Sequence, residues 1–481
     1  VMPAVLHFDE KFRQCFWDLA SVKEDVRERS ANTLMSILVE EQKAAASDPK
    51  KLSYALTRLI RGLSSSREGA RQGFSVALTQ LLRNIEAITT SSYIKRVGEL
   101  LPKNPNAKGK EEREIYYGRI FAILVLAKAE RFAQTNSGAN KDEESPDGSS
   151  DDSEEMKDDA SDSESGDAES EDDSENSNEE EEYNNPLDWA VSNLHELSKR
   201  KEQFEQLCYF TTTQIFQQLP ASNVLDIMQS VHSSFFPAAL KHFTASQLYF
   251  SMTLEREFGW IHPSCGSAYS IDALKTCTEA LVGTCTSHPE VHIVWKSILQ
   301  FCFPELELNE IPPPVAGSQG KVKASNKGYF NVLWSTIIEG RLFHSESQQK
   351  KHLGFQLTEQ FIPVLSAEQI SNLFTKHFSL CIVNSLHSHN NPLYPSVTRF
   401  LQKITQESEN MSSAAKYALA TEFLKLNRNF DGISKTKTVE RLVSQFEAPE
   451  IEQYLKNLRN NFYDVYINPD AELDEEQTKA A

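Results

Sequence analysis

The sequence predicts an all-α fold, an irregular solenoid of antiparallel helix pairs. Three features lead there. Apolar residues recur three and four apart in one segment after another, those segments run for roughly 12 to 20 residues between short polar turns, and no stretch alternates convincingly as a half-buried strand would. At 481 residues the chain is too long for one compact core, which leaves two or three domains or a single elongated repeat stack.

Taken in order, "SVKEDVRERSANTLMSILVEEQKAAA" opens with Ser21 and Glu24 at capping-box spacing and carries Val22, Val26, Leu34, Ile37 and Leu38 as its apolar positions. "KLSYALTRLIRGL" sets Leu52, Ala55, Leu56, Leu59 and Leu63 on one face, and Gly62 is expected to break it. Ser65 with Glu68 forms a second capping-box pattern ahead of a helix that buries Ala70, Phe74, Ala77, Leu78 and Leu81. Gly69, Gly73 and Ala77 fall four apart and make a ridge of small residues where a neighbouring element can approach closely.

The same period continues through "EEREIYYGRIFAILVLAKAERF", "NPLDWAVSNLHEL", "KEQFEQLCYFTTTQIFQQL", "SNVLDIMQSVHSSF", "SIDALKTCTEALVG", "PEVHIVWKSILQFCF", "YFNVLWSTIIEGRLF" and "KHLGFQLTEQFIPVL". It ends with "SAEQISNLFTKHFSLCIVNSLHSH", "YPSVTRFLQKI", "SAAKYALATEFLKL" and "TVERLVSQF". Stacked pairs of this kind are armadillo- or HEAT-like, with an irregular helical bundle as the alternative because the repeats share no crisp consensus.

The net charge of −20 belongs to one segment. Residues 141–182 hold 22 of the 69 acidic residues and 2 of the 49 basic ones, so the other 439 residues balance 47 basic against 47 acidic groups. With Met156 as its one large apolar residue, that segment cannot offset the entropy of ordering and is expected to be a disordered loop. Ser149, Ser161, Ser170 and Ser177 each have an acid three places on, the pattern an acidophilic kinase reads. Phosphorylation there would deepen the negative field; the segment reads either as a solvating insertion with no partner or as an arm for basic proteins or for competition with nucleic acid for the chain's own basic surface.

The expected organisation is helical repeats over 1–138, the acidic insertion over 139–184, further repeats over 185–310, a Pro/Gly/Lys linker over 311–328, repeats again over 329–466, and an acidic tail over 467–481. No segment is apolar enough to cross a membrane, and "VMPAVLHFDEKFRQ" lacks the apolar run of a signal peptide. The seven cysteines are scattered and mostly inside helical patterns, as expected of reduced core residues in a nuclear or cytosolic protein.

Basic side chains gather at four places. Arg58, Arg61, Arg67 and Arg71 surround one hairpin turn; Lys103, Lys108, Lys110 and Arg113 follow in "PKNPNAKGKEER"; Lys321, Lys323 and Lys327 occupy the linker; Lys435 and Lys437 precede "TVERLVSQF", whose helix Thr436 or Thr438 is expected to cap. Solvated or acid-paired cations are the plain reading of each cluster. Aligned along one edge of a stack, they would track a phosphate backbone with salt-sensitive, sequence-independent affinity.

Four blocks in order, "YALTRLIRGLSSSREGARQGFSVALTQLL", "KGKEEREIYYGRIFAILVLAKAE", "LFHSESQQKKHLGFQLTEQFIPVL" and "FDGISKTKTVERLVS", resemble the N-terminal part of the Pol5 and Myb-binding protein 1A family, also called DNA polymerase phi. The resemblance implies a nuclear and nucleolar helical-repeat scaffold without a cofactor. It implies work in rRNA gene transcription and in large ribosomal subunit assembly. The partners it implies are pre-rRNA or rDNA, ribosome assembly factors and basic nuclear proteins, with no membrane or small-molecule substrate. It also implies a further helical region and a basic tail that this sequence does not contain. The rival readings are a DNA-directed DNA polymerase and an importin-like transport receptor.

The polymerase reading meets an obstacle in "LYPS", Leu393 to Ser396. It looks like the part of a B-family polymerase motif that follows a metal-binding aspartate, but that position holds His389. Two-metal phosphoryl transfer needs carboxylates around its divalent ions. Pro395 is expected instead in the first turn of a helix. His262 with Cys265 and Cys285 with His288 have a spacing able to hold zinc, yet the 19 residues between the pairs read as an ordinary packed helix. "GSQGK" at 317–321 is too short for a phosphate-cradling loop, and no nucleophile elbow, zinc-protease helix or kinase signature occurs. The sequence therefore predicts a non-enzymatic protein.

Overall fold

A computed structural model describes residues 9–43, 49–103, 108–133, 185–286, 290–304, 306 and 325–466. Among them every regular element is a helix, and the isolated bridge between His262 and Gly266 only closes a turn. The all-α solenoid-like expectation is met. The acidic insertion with its four serines, Lys321, Lys323 and His288 lie outside the described residues. Contacts divide the chain into two compact units, Val1–His232 and Ser233–Ala481.

The first unit contains α1 (Glu10–Asp18), α2 (Glu24–Lys43), α3 (Pro49–Gly62), α4 (Glu68–Asn84), α5 (Thr90–Leu100), α6 (Lys110–Lys128), α7 (Pro186–Arg200) and α8 (Glu202–Phe216). Helix α9 (Ala221–Phe235) carries the chain across the division. Helices α2, α4, α6 and α8 lie side by side and run the same way, as cross-ties in matching order show. Arg27 donates to Gln72 and Gln80 to Asn32, both at 3.1 Å; Arg71 sits 4.8 Å over the Tyr117 ring while Arg83 reaches the Lys128 carbonyl; Lys201 meets Glu112 while Lys128 meets Gln214. Helices α1, α3, α5 and α7 return between them. The α1–α2, α3–α4, α5–α6 and α7–α8 connections therefore all fall at the same end of this unit.

Small residues set the spacing. A Cβ on Gly62 would clash with the Phe74 ring, at the point where the end of α3 packs on α4. A Cβ on Gly73 would overlap the Leu19 carbonyl oxygen, and one on Gly69 would stand 3.5 Å from that of Ser21. The small-residue ridge thus seats the α1–α2 turn directly on the first turns of α4.

Buried arginines lock the layers. Arg119, 5% exposed, donates to the Leu101 carbonyl at 2.7 Å and to Asn193 at 2.8 Å, joining α5, α6 and α7. Arg131 reaches the Leu82 carbonyl at the end of α4, and Arg83 of α4 reaches back to the end of α6. Each helix C-terminus holds carbonyls that its own helix leaves unpaired, so a guanidinium donates there favourably.

Both capping boxes need correction. Ser21 accepts from the Lys23 amide at 3.2 Å and Ser65 from the Arg67 amide at 3.3 Å, two residues on, while α4 begins without a side-chain cap. These hydroxyls close tight turns that reverse the chain between antiparallel helices, and that geometry displaces the three-residue reach of a cap. Val22 falls in the first turn and is 92% exposed.

In the second unit, α10 (Ala245–Phe258) packs on α13 (Ile293–Cys302), with the short helices α11 (Ile271–Thr276) and α12 (Thr278–Gly283) between them in the chain. Helix α14 (Ser325–Val332) runs on as a π-helical stretch, Leu333–Phe343, in which the His344 amide donates to the Glu339 carbonyl five residues back. Then follow α15 (Gln348–Phe361), α16 (Ala367–Leu373), α17 (Lys376–Leu386), α18 (Tyr394–Glu407), α19 (Ser413–Leu426), α20 (Phe430–Ser434), α21 (Thr438–Val443) and α22 (Ala448–Tyr466).

The Glu339 carboxylate accepts the His377 amide at 2.8 Å and the Phe378 amide at 3.1 Å, capping α17 from another helix. Phe378 thereby sits among Trp334, Phe343, Phe355, Phe374 and Phe400, with ring centroids 5.0 to 6.1 Å away. The expected Thr436 or Thr438 cap is also corrected. The Asp431 carboxylate accepts from the Val439 and Glu440 amides at 2.9 and 2.8 Å, while buried Thr438 is bonded to Thr436. An ionised carboxylate at a helix N-terminus is the stronger acceptor.

Candidate nucleic-acid interface

Two of the four predicted basic clusters meet at the end of the first unit where the four connections fall. The α3–α4 turn packs against α6, since a Cβ on Gly118 would stand 3.1 Å from the Ser64 side chain and 3.1 Å from Leu101 at the end of α5. This brings Arg61 and Arg67 beside the α5–α6 connection and its Lys103, Lys108, Lys110 and Arg113. The α7–α8 junction adds Lys199, Arg200 and Lys201, tied in through Lys201–Glu112 at 2.6 Å and Lys103–Glu196 at 2.8 Å. That contiguous basic triplet was readable in "SKRK" but lies between two helix patterns, where it passes for a solvated turn.

Pairing sorts these cations. Glu196 takes both Lys103 and Arg200, Glu112 takes Lys201, and Glu114 takes Lys110 at 3.6 Å. Hydrogen bonds from Lys103 and Arg200 hold the Glu196 carboxyl below its ordinary range, and Lys201 does the same for Glu112. Burial, with a smaller contribution from Lys199, lowers the His195 pKa and favours the neutral imidazole under this edge.

Arg61, Arg67, Lys108, Arg113 and Lys199 are exposed and make no ion pair with any described residue, against Glu68, Glu111 and Glu202 as interleaved acids. Acting together, they present a basic excess along the turns.

Other predicted positions serve the fold. Arg71 turns inward, donates to the Ser65 carbonyl at 2.8 Å and lies over Tyr117 and Phe121. Arg58 lies 5.9 Å from the Phe16 ring centre. Lys435 and Lys437 belong to the second unit, both in the left-handed region at φ 58° and 53°, and Lys437 pairs with Glu440 at 3.5 Å. Lys327 falls in α14, with its side chain outside the described residues.

Of the zinc-spaced residues, His262 and Cys265 have other partners. His262 Nδ1 accepts the Ser264 and Cys265 amides, both at 3.2 Å, and its ring packs among Phe236, Phe243 and Trp260. Its lone pair at Nδ1 is spent on a turn, and the Cys265 thiol leans 3.7 Å from the Ala238 carbonyl. Cys285 is half-buried in the short turn Thr284–Thr286. Among the described residues no group of three or more His, Cys, Asp or Glu is arranged to hold a metal. Pro395 stands in the first turn of α18, and the His389 ring packs 4.3 Å from that of Tyr394.

The fold and its charged edge define a helical-repeat protein that displays cations along successive inter-helix turns. The profile of the family described as DNA polymerase phi matches residues 54–142 and 187–481, and the chain belongs to that family. It is 23% identical over 452 residues to the "rDNA transcriptional regulator pol5" of Schizosaccharomyces pombe, covering 89% of this chain and 40% of that protein. It is 35% identical over 130 residues to the "Myb-binding protein 1A-like protein" of Danio rerio, covering 26% of this chain and 10% of that one. To the human "Myb-binding protein 1A" it is 28% identical over 130 residues, covering 27% of this chain and 9% of that one. The chain therefore spans less than half the length of each of these relatives.

Proposed function

We propose that this chain is a non-enzymatic scaffold of the nucleus and nucleolus. It supports rRNA gene transcription and large ribosomal subunit assembly by holding pre-rRNA or rDNA, assembly factors and basic nuclear proteins on its surface. The observation that carries the nucleic-acid part is the convergence of three basic connections on one end of the first unit, with Arg61, Arg67, Lys108, Arg113 and Lys199 making no ion pair with a described residue. Spaced by the ~10 Å between neighbouring helices, such turns follow a phosphate backbone without reading its sequence. The transcriptional part is supported by the name of the Schizosaccharomyces pombe relative, "rDNA transcriptional regulator pol5". The polymerase alternative is disfavoured by His389 standing where a metal-binding carboxylate belongs. Purified protein given primer, template and Mg²⁺ is expected to incorporate no more nucleotide than an unrelated control while still retaining the nucleic acid.

The acidic insertion enters this reading as a competitor. It joins the end of α6 to the start of α7, at the end of the unit opposite the basic connections. Fully extended, its ~150 Å of chain far exceeds the ~30 Å length of a helix such as α6. Deleting residues 141–182 is expected to tighten nucleic-acid binding several-fold at low salt, with the difference closing as salt screens the charges. Equal affinities at low salt would rule the competition out.

A further inference from the structure

The chain has five tryptophans, at positions 17, 189, 260, 295 and 334. Four are buried at 0 to 6% exposure, whereas Trp17 is 72% exposed. An indole that size is costly to leave in water, and nothing in the packing of α1 requires it, since Phe12, Cys15 and Phe16 fill the buried face. Its position is informative. Trp17 lies at the end of α1, two residues before Leu19, whose carbonyl rests on Gly73 of α4. The α1–α2 turn is the first of the four connections at the basic end, next to the turn that bears Arg61 and Arg67. Exposed Arg13 lies one helical turn before Trp17 on the same face.

We infer that Trp17 is a stacking platform for an unpaired nucleobase and that the basic edge takes single-stranded nucleic acid in preference to duplex. The inference rests on the basic edge being a nucleic-acid interface. A duplex shows phosphates to the edge and keeps its bases stacked inside. A single strand can bring the same phosphates to the turns while an unstacked base lies flat on the exposed indole, a contact that every base can make. Cations flanking an aromatic face are the arrangement such a strand needs.

The test uses the full chain, a fluorescein-labelled 12-nucleotide oligouridine, and a labelled duplex of equal length. Trp17→Ala is expected to weaken oligouridine binding by about 5- to 150-fold and to leave duplex binding and the urea midpoint unchanged. Trp17→Phe is expected to restore part of the loss. Oligouridine is also expected to quench the accessible fraction of tryptophan emission, which in this chain reports Trp17.

If Trp17→Ala binds both probes as the parent does while Arg61→Glu with Arg67→Glu loses affinity, stacking is wrong and the basic edge stands. An equal loss on strand and duplex, or a Trp17-dependent self-association in ultracentrifugation, likewise overturns stacking. If neither variant changes either affinity, the basic edge itself is refuted.

Discussion

Replacing Arg61, Arg67, Lys108 and Arg113 together by glutamate is expected to lower the affinity for nucleic acid that we propose for the chain by roughly 10³-fold at ~0.1 M salt. Each phosphate contact releases condensed counterions and contributes close to one power of salt, so removing four contacts costs about three to four powers of ten at that concentration. The effect is large because these side chains are the unpaired ones: no described carboxylate absorbs their charge. A control at Lys103 and Lys201, both engaged by Glu196 and Glu112, loses less per residue because each cation already has a counter-charge. Fluorescence anisotropy over a salt series checks both. All four substituted side chains are exposed, so the denaturation midpoint of the variant stays near that of the parent.

Phe378→Ala destabilises the second unit by about 3–5 kcal/mol, the cost of deleting a buried aromatic from a site that cannot collapse. Phe378 is fully buried, and five rings from the π-helical extension of α14, from α15, from the α16–α17 connection and from α18 close on it. Those neighbours are themselves held by other contacts, Phe343 against Phe355 and Trp334 against Phe361, so they cannot follow the missing ring inward. Urea denaturation followed by hydrogen exchange checks it. Protection falls in α14 to α18, whereas in α1 to α8 it holds. Phe378→Leu keeps most of the volume and costs less.

Sequence periodicity carried α2, α3, α4, α6, α7 and α8 of the first unit well. Ala70, Phe74, Ala77, Leu78 and Leu81 are all buried as their spacing requires, and Gly62 and Gly73 mark the two closest approaches. Five helices escaped it for identifiable reasons, and one of them, α20, is five residues long and too short to show a period. Helix α1 is nine residues long and buries only Phe12, Cys15 and Phe16, and α5 offers only Tyr93, Ile94 and Val97 to the core. Helix α10 is buried on nearly all sides, so it has no polar face to reveal a stripe. Helix α22 carries Ile451, Leu455 and Leu458 at helical spacing but exposes them.

Long-range pairing was less legible than local pattern. Arg119 and Arg131 look like surface cations in sequence, and only the arrival of Leu101, Asn193 and Leu82 makes them interior donors. Asp431 caps a helix eight residues away because α20 and its following turn fold back. The candidate interface was half legible. Its first two clusters were apparent as runs of arginine and lysine, but their meeting depends on Ser64 touching Gly118, a contact no local pattern encodes. Inward-turned Arg71 shows the converse, a cation in the right run that stacks on Tyr117 and Phe121 instead.

Ultraviolet crosslinking of the chain to RNA, with the crosslinked peptides mapped by mass spectrometry, tests the central claim most directly. The account predicts crosslinks concentrated in the α1–α2, α3–α4, α5–α6 and α7–α8 connections of the first unit. Crosslinks confined to the opposite end of that unit, around Lys43, Lys50 and Lys128, or to the second unit alone, would contradict it.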